Sequence, residues 1–325
     1  MNPALEKIAS VLKAAERVLI VTHVYPDGDA LGSQLALGNI MEELGKVVVL
    51  FGEEKVSHLY DFLPGSGRIA TDPPDGRRFD CIVALDCGDA LRLGREMDRL
   101  LEIHPFVVID HHAGHKDFGD LRWVDSQRGS TGEMVFDLAQ AMGAKISYDA
   151  AFCLYTAIVS DTGSFKYAST TARTLQVAAE LIGKGVEPAK VAGRLYDNFT
   201  ISRLELLKHV LDTLQIHGNG LLAMIHVTRQ MFEKTGAVEE ETENFINYPR
   251  SLASVKIAAF LKEAKDGRVS VSLRSKGKQH DVASVARQFG GGGHRNAAGF
   301  KLTGTTLEEV RQRLLDALLP LATGN

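Results

Sequence analysis

Phe106-Val107-Val108-Ile109-Asp110-His111-His112 passes from four consecutive apolar residues straight into one carboxylate and two imidazoles. A short apolar run rich in β-branched residues reads as a strand covered on both faces, the kind found in parallel sheets flanked by helices. The polar triplet then falls where the strand ends. The same arrangement recurs twice: Val18-Leu19-Ile20-Val21-Thr22 leads into His23, Asp27 and Asp29, and Cys81-Ile82-Val83-Ala84-Leu85 leads into Asp86. Asp161 lies in the turn Ser160-Asp161-Thr162-Gly163, after a helical stretch. Open parallel sheets bind ligands outside the carboxyl ends of their strands. Groups far apart in sequence are therefore expected along one sheet edge.

Working outward, strands alternate with helices through the first half. Helical patterns cover 30–44, ended by Gly45 as a left-handed stop, and 89–101, 132–142 and 149–159. The run 46–51 is apolar enough to predict a strand buried on both faces. This alternation predicts an α/β fold, a doubly wound and mostly parallel sheet. Residues 175–214 are helical in pattern. A second strand-rich region follows at 220–227, 254–261 and 269–273, with Lys265-Asp266-Gly267 as the turn between the last two. A short helix at 281–289, capped by Asp281, precedes Gly290-Gly291-Gly292-Gly293-His294, and a last amphipathic helix covers 306–319. The expected division is a catalytic domain at 1–185, a helical linker at 186–214 and a smaller α/β substrate domain at 215–325. The active site is expected in the cleft between the lobes.

At 325 residues the chain exceeds what one core usually serves. Its 45% hydrophobic and 24% charged residues are ordinary for a globular protein. A net charge of −4 argues against a broad basic face for long nucleic acid, though not against a local pocket for a short phosphorylated ligand. Cys81, Cys87 and Cys153 form no CxxC pair; Cys81 and Cys87 are expected on one strand, where a disulfide does not fit. They read as buried hydrophobes in a reducing compartment. The start is not a signal peptide, and no apolar run is long enough to span a bilayer. A cytoplasmic protein is expected.

Carboxylates and imidazoles gathered at strand ends suit a pair of hard divalent cations. Pro26 and Gly28 interleave Asp27 and Asp29 in a tight turn that aims both carboxylates inward. Two cations roughly 3.5–4 Å apart need a shared carboxylate, and Asp86 suits that place. The cations make water acidic enough to attack phosphorus in line near neutral pH. Oxygen and nitrogen ligands without thiolate favour Mn²⁺ or Mg²⁺. Each group has a blander reading: Asp27-Gly28-Asp29 as a polar turn, Asp86 as a strand end or helix cap, His111-His112 as surface residues, Asp161 as a turn residue. Their joint occurrence in one α/β region decides for the metal site.

These residues resemble the DHH phosphoesterase family. The match runs through Thr22-His23-Val24-Tyr25-Pro26-Asp27-Gly28-Asp29-Ala30-Leu31-Gly32-Ser33, then Leu85-Asp86, Asp110-His111-His112 and Ser160-Asp161-Thr162-Gly163. Gly291-Gly292-Gly293-His294-Arg295-Asn296-Ala297-Ala298-Gly299 is similar to the signature of the DHH-associated substrate domain. Length and the segment Asn247-Tyr248-Pro249-Arg250-Ser251 look most like the nano-RNase branch. Those enzymes finish very short RNA and often remove the 3′-phosphate of 3′-phosphoadenosine 5′-phosphate. The resemblance implies one cation on His23, Asp27 and Asp86 and another on Asp29, Asp86, His111 and Asp161. It also implies that Asp110 orients an imidazole and that His112 is a donor to the scissile phosphate.

On the substrate side, Arg274, followed by Ser275 at the end of a predicted strand, can grip a terminal phosphate bidentately. Gly292 and Gly293 let backbone N–H groups approach an anion, with His294 and Arg295 immediately after. Arg128, in a polar turn before a helix, is a further phosphate contact to test. A site closed by Arg274 and His294 measures from a terminus, so the expected partners are short RNA oligonucleotides and bisphosphonucleotides. Long nucleic acid and membranes are not expected. Linear dinucleotides from cyclic dinucleotide signals and inorganic polyphosphate are the alternative substrates. A homodimer is compatible with the sequence, though no residue establishes it.

Overall fold

The four apolar runs of the first half line up with a short fifth strand as one parallel sheet. The computed structural model describes residues 2–264 and 266–324 and divides into two units, Met1–Asn198 and Phe199–Asn325. The first unit contains α1 (Pro3–Ala14), β1 (Arg17–Val21), α2 (Gly28–Glu43), β2 (Val47–Phe51), β3 (Cys81–Leu85) and α3 (Met97–Leu101). It continues through β4 (Phe106–Asp110), β5 (Leu121–Val124), α4 (Thr131–Met142), α5 (Tyr148–Asp161), α6 (Ala172–Gly183) and α7 (Pro188–Tyr196). The strand order is β2-β1-β3-β4-β5, with every neighbouring pair parallel. From β1 the chain winds one way to β2, and from β3 onward it winds the other. The order therefore reverses between β1 and β3, and that reversal opens a crevice outside their carboxyl ends.

Both faces of this sheet are covered, but unequally. One carries the larger core, where α1, α2, α4 and α5 pack Leu12, Leu35, Phe136 and Leu154 against Ile20, Val83 and Ile109. The other is closed by Leu93, Leu100 and Phe118 over Leu19, Ile82 and Val108. Each aliphatic side chain fully removed from water contributes roughly 1.5–3 kcal/mol. The inner strands β3 and β4 are buried along their whole length, so the polar residues just past them stand on a rigid floor.

The second unit holds α8 (Ile201–Leu211), β6 (Gln215–His217), β7 (Leu222–Val227), α9 (Arg229–Thr235), α10 (Asn247–Ser251) and β8 (Ile257–Glu263). After these come β9 (Val269–Ser275), α11 (Val282–Gln288), β10 (Gly292–His294), β11 (Ala297–Leu302) and α12 (Leu307–Thr323). Its sheet, ordered β10-β11-β9-β8-β7-β6, is mixed: β7 and β8 are parallel and the other pairs antiparallel. Leu314 and Leu318 of α12 and Ala286 of α11 cover Val271 and Leu273 on one face. Leu206 of α8 and Phe232 of α9 pack with Ile225 and Phe260 on the other.

Several expectations are corrected. The strand at 46–51 is β2, an edge strand, and Val47 is 56% exposed rather than buried. The helix expected at 89–101 is broken at Gly94, where φ is +84°, into a 3₁₀ turn at Ala90–Leu93 and the short α3. Asp161 is the last residue of α5, not part of a turn beyond it. Cys87 lies past the end of β3, apart from Cys81; all three cysteines are free and buried. The helical pattern at 175–214 resolves into α6, α7 and α8, and the division between units falls after α7. Lys265, in the turn expected before β9, lies outside the described residues. No described helix is long and apolar enough to cross a membrane.

Candidate metal centre

Three strand ends deliver the polar side chains. Past β1, Asp27 caps α2, its Oδ1 accepting from the N–H of Asp29 and of Ala30 at 3.1 Å each. The tight turn expected at Asp27-Gly28-Asp29 is instead the start of α2, and the cap holds the Asp27 carboxylate in place. One residue into the helix, Asp29 is 1% exposed. Past β3, Asp86 adopts φ +55°. That left-handed conformation is tolerated by Asp more readily than by most residues, and strain of this kind concentrates at functional sites. Past β4 come His111 and His112, and from the end of α5 comes Asp161.

His111 Nε2 stands 3.6 Å from Asp29 Oδ2, 3.5 Å from Asp86 Oδ1 and 3.6 Å from Asp161 Oδ2. One ring nitrogen therefore faces three carboxylates from three separate elements. His23 Nε2 lies 3.5 Å from the other Asp86 oxygen, Oδ2. The Nδ1 atoms of both rings face backbone carbonyls, Val24 O at 2.9 Å from His23 and Arg128 O at 3.3 Å from His111. A carbonyl only accepts, so Nδ1 donates to it and Nε2 is the nitrogen turned toward the carboxylates, placed to offer its lone pair to a cation. Metal-ligating histidines are oriented in this way. Potential ligand atoms of His23, Asp27 and Asp86 lie within 4.8 Å of one another, as do those of Asp29, His111 and Asp161.

The electrostatics fit cations. Burial first, then the charges of Asp86, Asp161 and Asp27, push the Asp29 carboxyl well above the ordinary range. This holds although Thr131 N–H (2.7 Å), Gly132 N–H (2.9 Å) and Ser33 Oγ (3.2 Å) all donate to it. Burial also raises Asp161 to about 6, with Asp27 and Asp86 adding to the rise and His111 opposing it. For Asp86 burial is outweighed by His111, His112 and His23, which hold the carboxyl well below its usual value. His111 is pushed well above its usual value because Asp161 and Asp86 overcome the opposing effect of burial. Buried carboxylates crowded this closely are costly unless paired or coordinated to metal. The oxygen-and-imidazole donor set suits hard divalent ions.

Other expected residues have different surroundings. Asp110 accepts from His112 Nδ1 at 2.6 Å and from His115 Nδ1 at 2.9 Å, so it orients His112 rather than His111 or His23. The Arg128 guanidinium is taken up by Asp125 (3.1 Å), Glu133 (3.0 Å) and Asp137 (2.7 Å). It braces the start of α4 while its carbonyl orients His111. In the second unit, Arg274 pairs with Ala297 across β9–β11, and Ala297 pairs with His294 across β11–β10. Directly opposed residues of antiparallel strands project from the same face. Arg274 and His294 therefore flank a small alanine, beside the matching row Ser272, Gly299 and Gly292. This half-exposed row alternates with the buried Val271 and Leu273. Gly293, at φ +131°, would bring a Cβ within 2.5 Å of the Ala297 carbonyl oxygen, so the turn requires glycine. Ser275 is spent on the His280 carbonyl (2.7 Å) and Arg295 on that of Lys278 (2.8 Å).

Sequence reasoning missed the support of the carboxylates: the N-terminus of α4 behind Asp29, and Thr131 Oγ1, which donates to Asp86 Oδ1 at 3.0 Å. The available signal was Ser130-Thr131-Gly132-Glu133, a capping pattern that starts a helix at this point.

With this geometry in hand, comparison with known proteins gives a consistent result. The model of the DHH family N-terminal domain matches residues 17–158, and that of the DHHA1 domain matches residues 222–320. The protein named bifunctional oligoribonuclease and PAP phosphatase NrnA from Thermus thermophilus is 36% identical over 317 residues, covering 96% of this chain and 92% of that one. Its namesake from Bacillus subtilis is 28% identical over 291 residues, 87% of this chain and 88% of that one. The crystal structure of an exopolyphosphatase-related protein from Bacteroides fragilis is similar with a TM-score of 0.89 at 30% identity, over 98% of this chain and 97% of that chain. The chain belongs to the DHH family and carries a DHHA1 domain in its second unit.

Proposed function

We propose that this chain is a two-cation phosphoesterase. It hydrolyses very short oligoribonucleotides to mononucleotides and removes the 3′-phosphate of 3′-phosphoadenosine 5′-phosphate to leave AMP. The observation that carries the reading is the placement of Asp86: Oδ2 faces the group of His23 and Asp27, and Oδ1 faces that of Asp29, His111 and Asp161. A shared carboxylate is what a pair of closely spaced cations needs. His23, Asp27 and Asp86 would hold one ion and Asp29, Asp86, His111 and Asp161 the other, with Mn²⁺ favoured by the mixed donors and Mg²⁺ the alternative. Bound there, the ions would supply an acidified water and positive charge for the phosphoryl oxygens. The names of the relatives from Thermus thermophilus and Bacillus subtilis support the choice of substrates.

The protein's own groups divide the remaining work. His112, held by Asp110, donates from Nε2 to the scissile phosphate. Thr131 and the amides of α4 keep the Asp86 and Asp29 carboxylates aimed. Arg274 and His294 engage the substrate's terminal phosphate, and the small Ala297 between them, with Gly299 and Gly292 in the row beside, leaves room for a nucleotide to lie flat. Substrates of this kind belong in the cytoplasm, and we place the protein there.

The Bacteroides fragilis structure, described as exopolyphosphatase-related, favours inorganic polyphosphate as a second substrate class. Rates on a two-nucleotide RNA, the bisphosphonucleotide, a linear guanosine dinucleotide and tripolyphosphate, all in Mn²⁺, separate the possibilities. The RNA and the bisphosphonucleotide should be cleaved fastest. Rapid cleavage of tripolyphosphate with RNA untouched would overturn the reading.

A further inference from the structure

One buried imidazole beside the metal centre belongs to neither cation group. His115 lies in the loop after β4, with a side chain 8% exposed. Its Nδ1 is 2.9 Å from Asp110 Oδ2, while His112 Nδ1 occupies Asp110 Oδ1 at 2.6 Å. A carboxylate only accepts, so both imidazoles carry a proton on Nδ1 and donate it. The Nε2 of His115 is buried with no hydrogen-bond partner, which leaves the Asp110 bond as the ring's one polar anchor.

The rest of the ring is held by aromatic packing. It stacks on Phe118 with centroids 5.2 Å apart and planes 18° from parallel. Phe118 meets Phe106 edge-on at 5.9 Å, and Phe106 begins β4 at 1% exposure. A continuous line of contacts thus runs from the sheet core through Phe118 and His115 to the carboxylate on which His112 hangs.

The terminal torsion of an aspartate is soft. With a donor on one oxygen only, the carboxylate can turn about its Cβ–Cγ bond and carry the His112 ring with it. A donor on each oxygen, one of them anchored in the core, removes that freedom. We infer that His115 is a positioning residue. By holding Oδ2 of Asp110 it fixes the carboxylate plane, and with it the direction in which His112 presents Nε2. This deepens the phosphoesterase reading and rests on it for the role of His112.

Two substitutions separate positioning from space-filling. His115→Phe keeps the ring and its stack but removes the donor. His115→Asn removes the stack but keeps an N–H at about the same reach as Nδ1. With Mn²⁺ and a two-nucleotide RNA, kcat should fall roughly tenfold to a hundredfold in H115F, the scale of outer-sphere substitutions, with KM little changed. H115N should recover most of the loss. In metal-free protein the His112 Nδ1 proton, in its short bond to Asp110, should give a sharp downfield resonance in the wild type and in H115N, and a broadened one in H115F. An H115F variant with full kcat, an H115N variant no better than H115F, or an unchanged resonance would overturn the inference. If the resonance behaves as expected while the wild type cleaves no phosphoester, the substrate reading falls and the positioning of His112 stands.

Discussion

The two units handle polar chemistry in opposite ways. In the first, Asp29, Asp86, Asp110, His23 and His111 are all under 5% exposed, at the carboxyl ends of strands whose flanks are wholly apolar. Charge is concentrated where water is scarce, which raises some carboxyls and lowers others. In the second, Arg274 and His294 stand on a half-exposed row, and the precision lies in the backbone: Gly291 and Gly293 have no room for a Cβ against β11, and Gly299 has none against Val271 of β9. One unit is specialised by electrostatics that a cation can relieve, the other by a surface stripped of side chains. Substitutions that remove charge should therefore affect turnover in the first unit, and substitutions that add volume should affect folding in the second.

The largest effect is expected for Asp86→Asn, which preserves shape and the acceptor for Thr131 but removes the shared charge. Turnover of short RNA at saturating Mn²⁺ should fall on the order of 10³-fold or more, with circular dichroism unchanged. An Asp86→Asn enzyme retaining a tenth of its activity would break the contrast, because the chemistry would then not depend on buried charge at the β1–β3 crevice.

Next in size is Gly291→Ala. A Cβ there would lie 2.1 Å from the Gly299 carbonyl oxygen and 2.5 Å from Phe300 Cβ, backbone and core atoms with little freedom to yield. A destabilisation of about 3 kcal/mol is expected, the upper range for overpacking, read by chemical denaturation. The Mn²⁺ affinity of the first unit should hold in a titration calorimeter. Loss of that affinity together with stability would show that the two devices are not separable.

How far these features were legible in the sequence follows the same divide. Asp86 and Asp110-His111-His112 could be placed because uninterrupted apolar runs mark where β3 and β4 end, and parallel sheets collect ligands there. The strand β5 was not visible: Leu121-Arg122-Trp123-Val124 is short and interrupted by a charge, and only Trp123 is buried. The edge position of β2 was equally hidden, because a sequence of valines does not show which neighbour is missing. Arg128 looked like a phosphate ligand because its partners Glu133 and Asp137 meet it only once α4 has formed. The donors to Asp29 come from 102 and 103 residues away, a separation that no local pattern reports.

Thr131→Val sharpens the first half of the comparison. Valine keeps the volume and the β-branch, and the main-chain N–H of residue 131 still reaches Asp29, so only the hydroxyl donor to Asp86 is lost. Cation affinity should weaken about tenfold to a hundredfold, as for other groups that orient ligands. Unchanged affinity by calorimetry would mean that Asp86 is held by its backbone strain and its histidines alone.

The smallest effect is a change of slope with pH, and its sign is diagnostic. Burial lifts Asp161 from an ordinary 3.8 to about 6, so the folded, cation-free protein binds that proton more tightly than the unfolded chain does. Stability from this group is complete below about 3.8 and is lost as pH rises to about 6. His111 acts in the same direction at higher pH, since Asp161 and Asp86 outweigh burial and raise its folded pKa. Asp86, held low, works the other way only in more acid solution. Chelated protein should therefore lose stability as pH climbs from about 4 through 6. Cations compete with the same protons, so their affinity should rise over that interval with protons released on binding. Thermal midpoints measured with chelator and with Mn²⁺ should thus diverge as pH rises. Parallel curves would mean that the buried carboxylates are not what the cations displace protons from, and the distinction between a charge-built unit and a shape-built one would lose its basis.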